Sequence, residues 1–122
     1  MKQILEIQGQ FPSLNEVIRV SKTHWSHYAK LKKKLTTSVA LQARAARMKP
    51  VTKPVKVIFH WYEKSRKRDV DNISHGCKYL LDGLVEASVL EDDSQRHVPH
   101  LEHHFDLDKN NPRVVVTIDE LS

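Results

Sequence analysis

The chain has 122 residues, of which 39% are hydrophobic, with a formal net charge of +5 and one cysteine, Cys77. That length suits a single compact domain, and a lone cysteine excludes an intrachain disulfide and points to a reducing, cytoplasmic setting. The first residues lack the apolar core of a signal peptide, and no stretch is long and apolar enough to span a bilayer, so a soluble protein without membrane attachment is expected.

Residues 3–8 alternate weakly and predict a first strand ending at Gly9. Phe11-Pro12-Ser13-Leu14-Asn15 reads as a loop, with Pro12 biasing Phe11 towards an extended conformation. Ser21 or Thr23 is placed to cap a long helix running to about Met48, before Pro50 and Pro54 stop it. On a 3.6-residue period Trp25, Tyr28, Leu31, Leu35, Val39, Ala43 and Ala46 share one face, which is predicted to be buried. Lys30, Lys33, Lys34, Arg44 and Arg47 cover much of the other side. Lysines on a helix are ordinarily just a solvated face. Here the whole segment between Glu16 and Glu63 holds eleven bases and no acid, which favours contact with a phosphate polymer.

Val55 to Tyr62 alternates and is rich in β-branched and aromatic residues, so it predicts a strand, followed by a basic loop from Glu63 to Arg68. A second helix is predicted from about Val70 to Ala87, with Ile73, Cys77, Leu80, Leu84 and Ala87 as its buried stripe. Cys77 within that stripe reads as core and not as a nucleophile. A further strand is expected within 95–106, and a last one from Arg113 to Ile118. These elements predict an α+β fold: one small domain, residues 1–122, with a mixed β-sheet of about four strands packed against two long helices.

Two groups of acids stand out in this basic chain: Asp69 and Asp71 within Arg68-Asp69-Val70-Asp71-Asn72, and Asp92-Asp93 after Glu91. Separated carboxylates suit a hard divalent cation such as Mg2+, and a basic surface around such an ion points to metal-dependent cleavage of nucleic acid. If residues 69–71 are extended, both aspartates leave the same side of the chain. The plain alternative is that Asp71 or Asn72 caps a helix and that Asp92-Asp93 is a turn. Asp71, Lys78 and Asp82 fall on one polar face of the predicted helix, so Lys78 is placed to reach back towards an ion or phosphate, or simply to pair with Asp82. His97, His100, His103 and His104 do not suit zinc: on a strand His97 and His103 face one way and His100 and His104 the other.

At these residues the chain resembles the RusA family of Holliday junction resolvases, small endonucleases common in phages and prophages. The resemblance rests on Arg68-Asp69-Val70-Asp71-Asn72, on Leu81-Asp82-Gly83-Leu84 with Val89-Leu90, on Asp92-Asp93-Ser94-Gln95, and on the early Pro12-Ser13-Leu14-Asn15. It implies a homodimer that binds four-way DNA junctions and cuts them symmetrically with Mg2+ or Mn2+, in recombination and repair. By motif, Asp69, Asp71 and Asp93 match the family's essential acids, with Asp92 as a neighbour, and Lys78 matches its catalytic lysine. Some members place that lysine four residues after the second motif aspartate, where this chain has His75. The mechanism expected is phosphodiester hydrolysis with Asp69, Asp71 and Asp93 on the metal, Lys78 on developing charge, and Arg68, Lys30, Lys33, Lys34, Arg44 and Arg47 on the DNA backbone. Two alternatives stand beside it: a non-catalytic branched-DNA-binding module, and a metal nuclease acting on other branched DNA or on RNA.

Overall fold

In the computed structural model, which describes residues 1–121, the chain runs β1 (Lys2–Gln8), α1 (Leu14–Thr23), α2 (Trp25–Ala45), β2 (Val55–Glu63), α3 (Val70–Ser74), α4 (Cys77–Glu86), β3 (His100–Leu107) and β4 (Arg113–Glu120). The strands form one mixed sheet in the order β1-β4-β2-β3. β4 is antiparallel to both β1 and β2, whereas β2 and β3 are parallel. The β2–β3 connection passes through α3 and α4, the kind of crossover that parallel neighbours require.

Alternation sets which face is buried. The odd-numbered residues of β2, from Val55 to Glu63, all point into the protein, as do Leu5 and Ile7 of β1 and Val114, Val116 and Ile118 of β4. They pack with Val39 and Ala43 of α2 and with Leu80, Leu81 and Leu84 of α4 in one core. Ile4, on the opposite face of the sheet, is 61% exposed, so the fold is two layers with an open outer face. Among the described residues no helix is long and apolar enough to cross a membrane.

The α+β class and all four strands agree with the sequence, but the helices divide differently. The loop expected at 11–15 ends at Ser13, which caps α1: its side chain accepts from the Glu16 backbone N–H, and Glu16 answers in a capping box. The long helix expected from a Ser21 or Thr23 cap to about Met48 is α2, which runs from Trp25 to Ala45; its cap is His24, whose extended backbone breaks it from the unexpected α1 and whose Nδ1 accepts from the Ser26 N–H. The second helix also breaks, at His75-Gly76, where successive i→i−3 bonds (Gly76 to Ile73, Lys78 to His75, Tyr79 to Gly76) tighten the chain into a turn. A Cβ at Gly76 would lie 3.1 Å from both the Phe11 Cβ and the Trp61 ring, so a larger residue there requires those neighbours to give by a few tenths of an ångström. There is thus one long helix, α2, and three shorter ones.

Burial of the α2 stripe is partial. Val39 and Ala43 are buried, but Trp25 is 75% exposed and Ala46 is exposed. The reason is length: α4 has ten residues against 21 in α2, and Trp25 and Ala46 lie at the two ends of α2, where the shorter helix leaves them uncovered. His97 lies in a turn, not on a strand with His103 as expected. His103 sits on β3, where its Nδ1 accepts from Trp61 Nε1–H at 3.0 Å and its ring stacks on Phe59. Burial lowers the His103 pKa, with the neighbouring His104 acting the same way. The Trp61 bond requires the same neutral form.

The closest approach in the fold is at Gly83, where an added Cβ would come within 2.5 Å of Val39 and 3.0 Å of the Thr36 carbonyl. Gly83→Ala is therefore expected to lower unfolding free energy by about 1–3 kcal/mol in urea melts, although alanine is the better helix former. Unchanged stability would show that α2 and α4 can separate without cost.

Candidate active site

β2 ends in Glu63, an acid only 6% exposed. Five residues on, the Arg68 guanidinium turns back to it, with Nη1 3.5 Å from Glu63 Oε1 and Nη2 donating to the Phe11 carbonyl at 2.9 Å. Burial raises the Glu63 pKa against the opposing pull of Arg68 and then Lys64. Arg68 Nε is buried with no partner among the described residues. The sequence pointed Arg68 at DNA; the structure turns it inward, where it fixes the 63–68 loop and the segment before α1. Glu63, read from the sequence only as the start of a basic loop, is the buried anchor of that loop, and its signal is an acid on the buried side of an otherwise apolar alternation.

That loop delivers Asp69 and Asp71. Asp69 occupies the N-cap position of α3 with extended backbone, yet its side chain makes no capping hydrogen bond. Asp71 is already helical and exposed, and one of its carboxylate oxygens accepts from the Asn72 N–H at 3.0 Å. The two acids therefore sit at the N-cap and the second residue of a helix start, with Val70 between them, not on one side of an extended strand, because α3 begins at Val70. Asn72 is the residue that ties the site to α1, its side-chain oxygen accepting from the Asn15 N–H at 3.0 Å. Beside them, Glu63, Arg66, Arg68, Val70, Ile73, Phe105 and Leu107 line a cleft of about 300 Å³.

Asp92 and Asp93 are elsewhere. The Asp93 N–H donates to Asp92 Oδ1 at 2.8 Å, forming a turn, and His97 in the same loop accepts from the Val55 N–H at 3.0 Å. The loop is thus pinned to the start of β2, whereas Asp69 emerges beyond its end. β2 spans nine residues, roughly 26 Å from first to last Cα. Among the described residues, no group of three or more His, Cys, Asp or Glu side chains is assembled to hold a metal ion. Within one chain, then, the structure keeps Asp93 and Asp92 apart from Asp69 and Asp71.

Lys78 is exposed in the first turn of α4, with Nζ 3.4 Å from Asp82. The break at Gly76 means that Asp71 and Lys78 do not share one continuous helix. His75, the other residue considered at this position, lies within 3.3 Å of the Tyr79 hydroxyl, and burial lowers its pKa.

The bases divide by what they touch. Lys30, Lys33 and Lys34 border a shallow groove on α2 with Thr37, Ser38, Leu41 and Gln42. Arg47 is exposed just after α2, with φ of 56°. Arg44 instead donates to the Glu86 carbonyl at 2.9 Å and binds α2 to the end of α4.

Replacing Arg68 leaves Glu63 buried without its cation, so Arg68→Ala should cost ~2 kcal/mol of stability in denaturant titrations. Adding Glu63→Gln should recover part of the loss. A variant as stable as the parent would mean the pair holds nothing in place.

With that geometry described, two comparisons bear on it. Residues 11–119 match the family model described as Endodeoxyribonuclease RusA. No curated protein matches the chain.

Proposed function

This chain belongs to the RusA family of endodeoxyribonucleases, and from that premise we propose that it is a Mg2+-dependent endonuclease that resolves four-way DNA junctions by paired phosphodiester hydrolysis. The observation that carries the reading beyond the family is Asp69: a carboxylate at a helix start that caps nothing, next to the exposed carboxylate of Asp71. Two hard oxygen donors suit Mg2+, or Mn2+, at a phosphate-binding protein. In a single chain they stand without a third acid, so the full donor set of Asp69, Asp71, Asp93 and Asp92 fits the ion only if Asp93 and Asp92 are brought across by a second subunit. A homodimer is part of the proposal for that reason and because cutting two strands needs two sites.

Bound there, Mg2+ would supply polarisation of a phosphoryl oxygen and a more acidic water for in-line attack. The chain's own contributions are separate. Asp69 and Asp71 set where the scissile phosphate rests. Lys78, exposed in the first turn of α4 and paired with Asp82, is the cation assigned to offset charge on the leaving oxygen. Lys30, Lys33, Lys34 and Arg47 hold the DNA backbone without reading bases. Arg68 and Arg44 act through the scaffold they tie together. A protein acting on DNA, with its only cysteine unpaired, is assigned by this reading to the cytoplasm and to recombination or repair.

The absence of a three-acid cluster within the chain is also what a non-catalytic DNA-binding module would show. Incubation with a mobile four-way junction, with Mg2+ and with chelator, separates the two, and competition with flap, linear duplex and RNA distinguishes other nucleases. Asp71→Asn should reduce cleavage about a hundredfold or more while junction binding persists. Equal cleavage by parent and variant would remove Asp71 from the chemistry. Lys34→Ala should lower the salt slope of binding by about one unit. An unchanged slope would take α2 off the DNA.

A further inference from the structure

β3 is the exposed edge of the sheet beside β2, and it lacks the usual protections of an edge: it contains no lysine, proline or bulge between His100 and Leu107. On the helix-facing side it shows Leu101, Phe105 and Leu107, respectively 46%, 36% and 47% exposed. On the open side it carries His100, Glu102, His104 and Asp106 in succession. An edge with both features invites another strand, and the charge order selects which one.

We propose that β3 pairs antiparallel with β3 of a second copy of this chain, about a two-fold axis at His103. This inference rests on the two-subunit reading given above and assigns it a surface. A two-fold perpendicular to a sheet sets residues opposite one another only when they share a face, so the axis must pass through a residue of the strand. With the axis at His103, His100 lies opposite the partner's Asp106, Glu102 opposite the partner's His104, and Leu101 opposite the partner's Phe105. Every open-face pair then sets an imidazole against a carboxylate, the kind of pair this face already forms within the chain as His104–Glu102 and His60–Asp106, and the exposed apolar residues cover each other. Moving the axis to His104 sets Glu102 against the partner's Asp106. Moving it to Glu102 sets that glutamate against itself and His100 against the partner's His104. Moving it to Phe105 sets Glu102 against the partner's Asp108. The charges therefore favour one register over its neighbours. Trp61 holds the His103 ring at the axis through Nδ1 in its uncharged form, so two such rings meet there without repulsion.

A single sheet then runs through both subunits. Antiparallel pairing also lays the 91–98 turn, which precedes β3, alongside the end of the partner's β3, the end at which Asp69 emerges.

The test is a charge-swap mixing experiment read by analytical ultracentrifugation, with circular dichroism to confirm folding. H100D makes both positions of the pair acidic, and D106K makes both basic. Each variant alone should dimerise at least about tenfold more weakly than the parent, and the equimolar mixture should regain parental affinity, because the swapped charges complement each other in the mixed pair. The regain also guards against misfolding, since a variant that fails to fold will not be rescued by mixing. If the parent is a dimer and both variants dimerise equally well, or if both weaken and mixing rescues nothing, the β3 register is wrong while the two-subunit reading survives. If the parent is monomeric at micromolar concentration, both fall.

Discussion

β2 is hydrogen-bonded along both edges and buried on one face, so its two ends are held at a fixed separation. At its far end Glu63 accepts Arg68, and Arg68 grips the Phe11 carbonyl, which determines where Asp69 and Asp71 leave the sheet. At its near end the Val55 N–H binds His97, which determines where the Asp92-Asp93 turn lies. Neither acid group can approach the other without breaking ladder hydrogen bonds in the most buried strand. The distribution of carboxylates is thus a consequence of core packing, set before any ligand is considered.

The same economy of contacts sorts the bases. Arg68 and Arg44 have planar, multi-donor side chains that satisfy carbonyls and a buried carboxylate, and both hold elements together. The exposed lysines of α2 make no comparable internal bond and present charge to solvent along a helix side. Net charge alone does not distinguish these groups. The lysines and the exposed Arg47 are the bases the proposed function places on DNA, and the spread of the lysines along α2 suits contact with a backbone more than with a point ligand.

Much of this was legible in the sequence, for identifiable reasons. Alternation in 55–62 and the β-branched run in 113–118 marked the strands, and the Ile73–Leu84 spacing marked the buried side of α3 and α4. The Ser13–Glu16 capping box is equally visible in the sequence and marks the start of α1, a helix absent from the expectation of a loop over 11–15 and a helix start near Ser21 or Thr23. The break at Gly76 was not legible, since its cause is the approach of Phe11 and Trp61 from distant parts of the chain. Nor was the exposure of Trp25, which depends on how far α4 extends along α2. Asp69 without a capping bond is likewise a matter of side-chain orientation that sequence does not encode at a single position.

The separation of the acids did have a signal. A strand, two helices and a second strand predict a parallel crossover, and in parallel neighbours both beginnings lie at one end of the sheet. A residue that follows β2 and a residue that precedes β3 must then occupy opposite ends, whatever their chemistry. Antiparallel pairing reverses that relation, because each strand's beginning lies beside its neighbour's finish. Within the chain only β4 pairs antiparallel, and it brings neither acid group with it. The proposed pairing with another copy of β3 is the one that would supply the reversal, and it would link the unprotected edge to the separated carboxylates through topology alone.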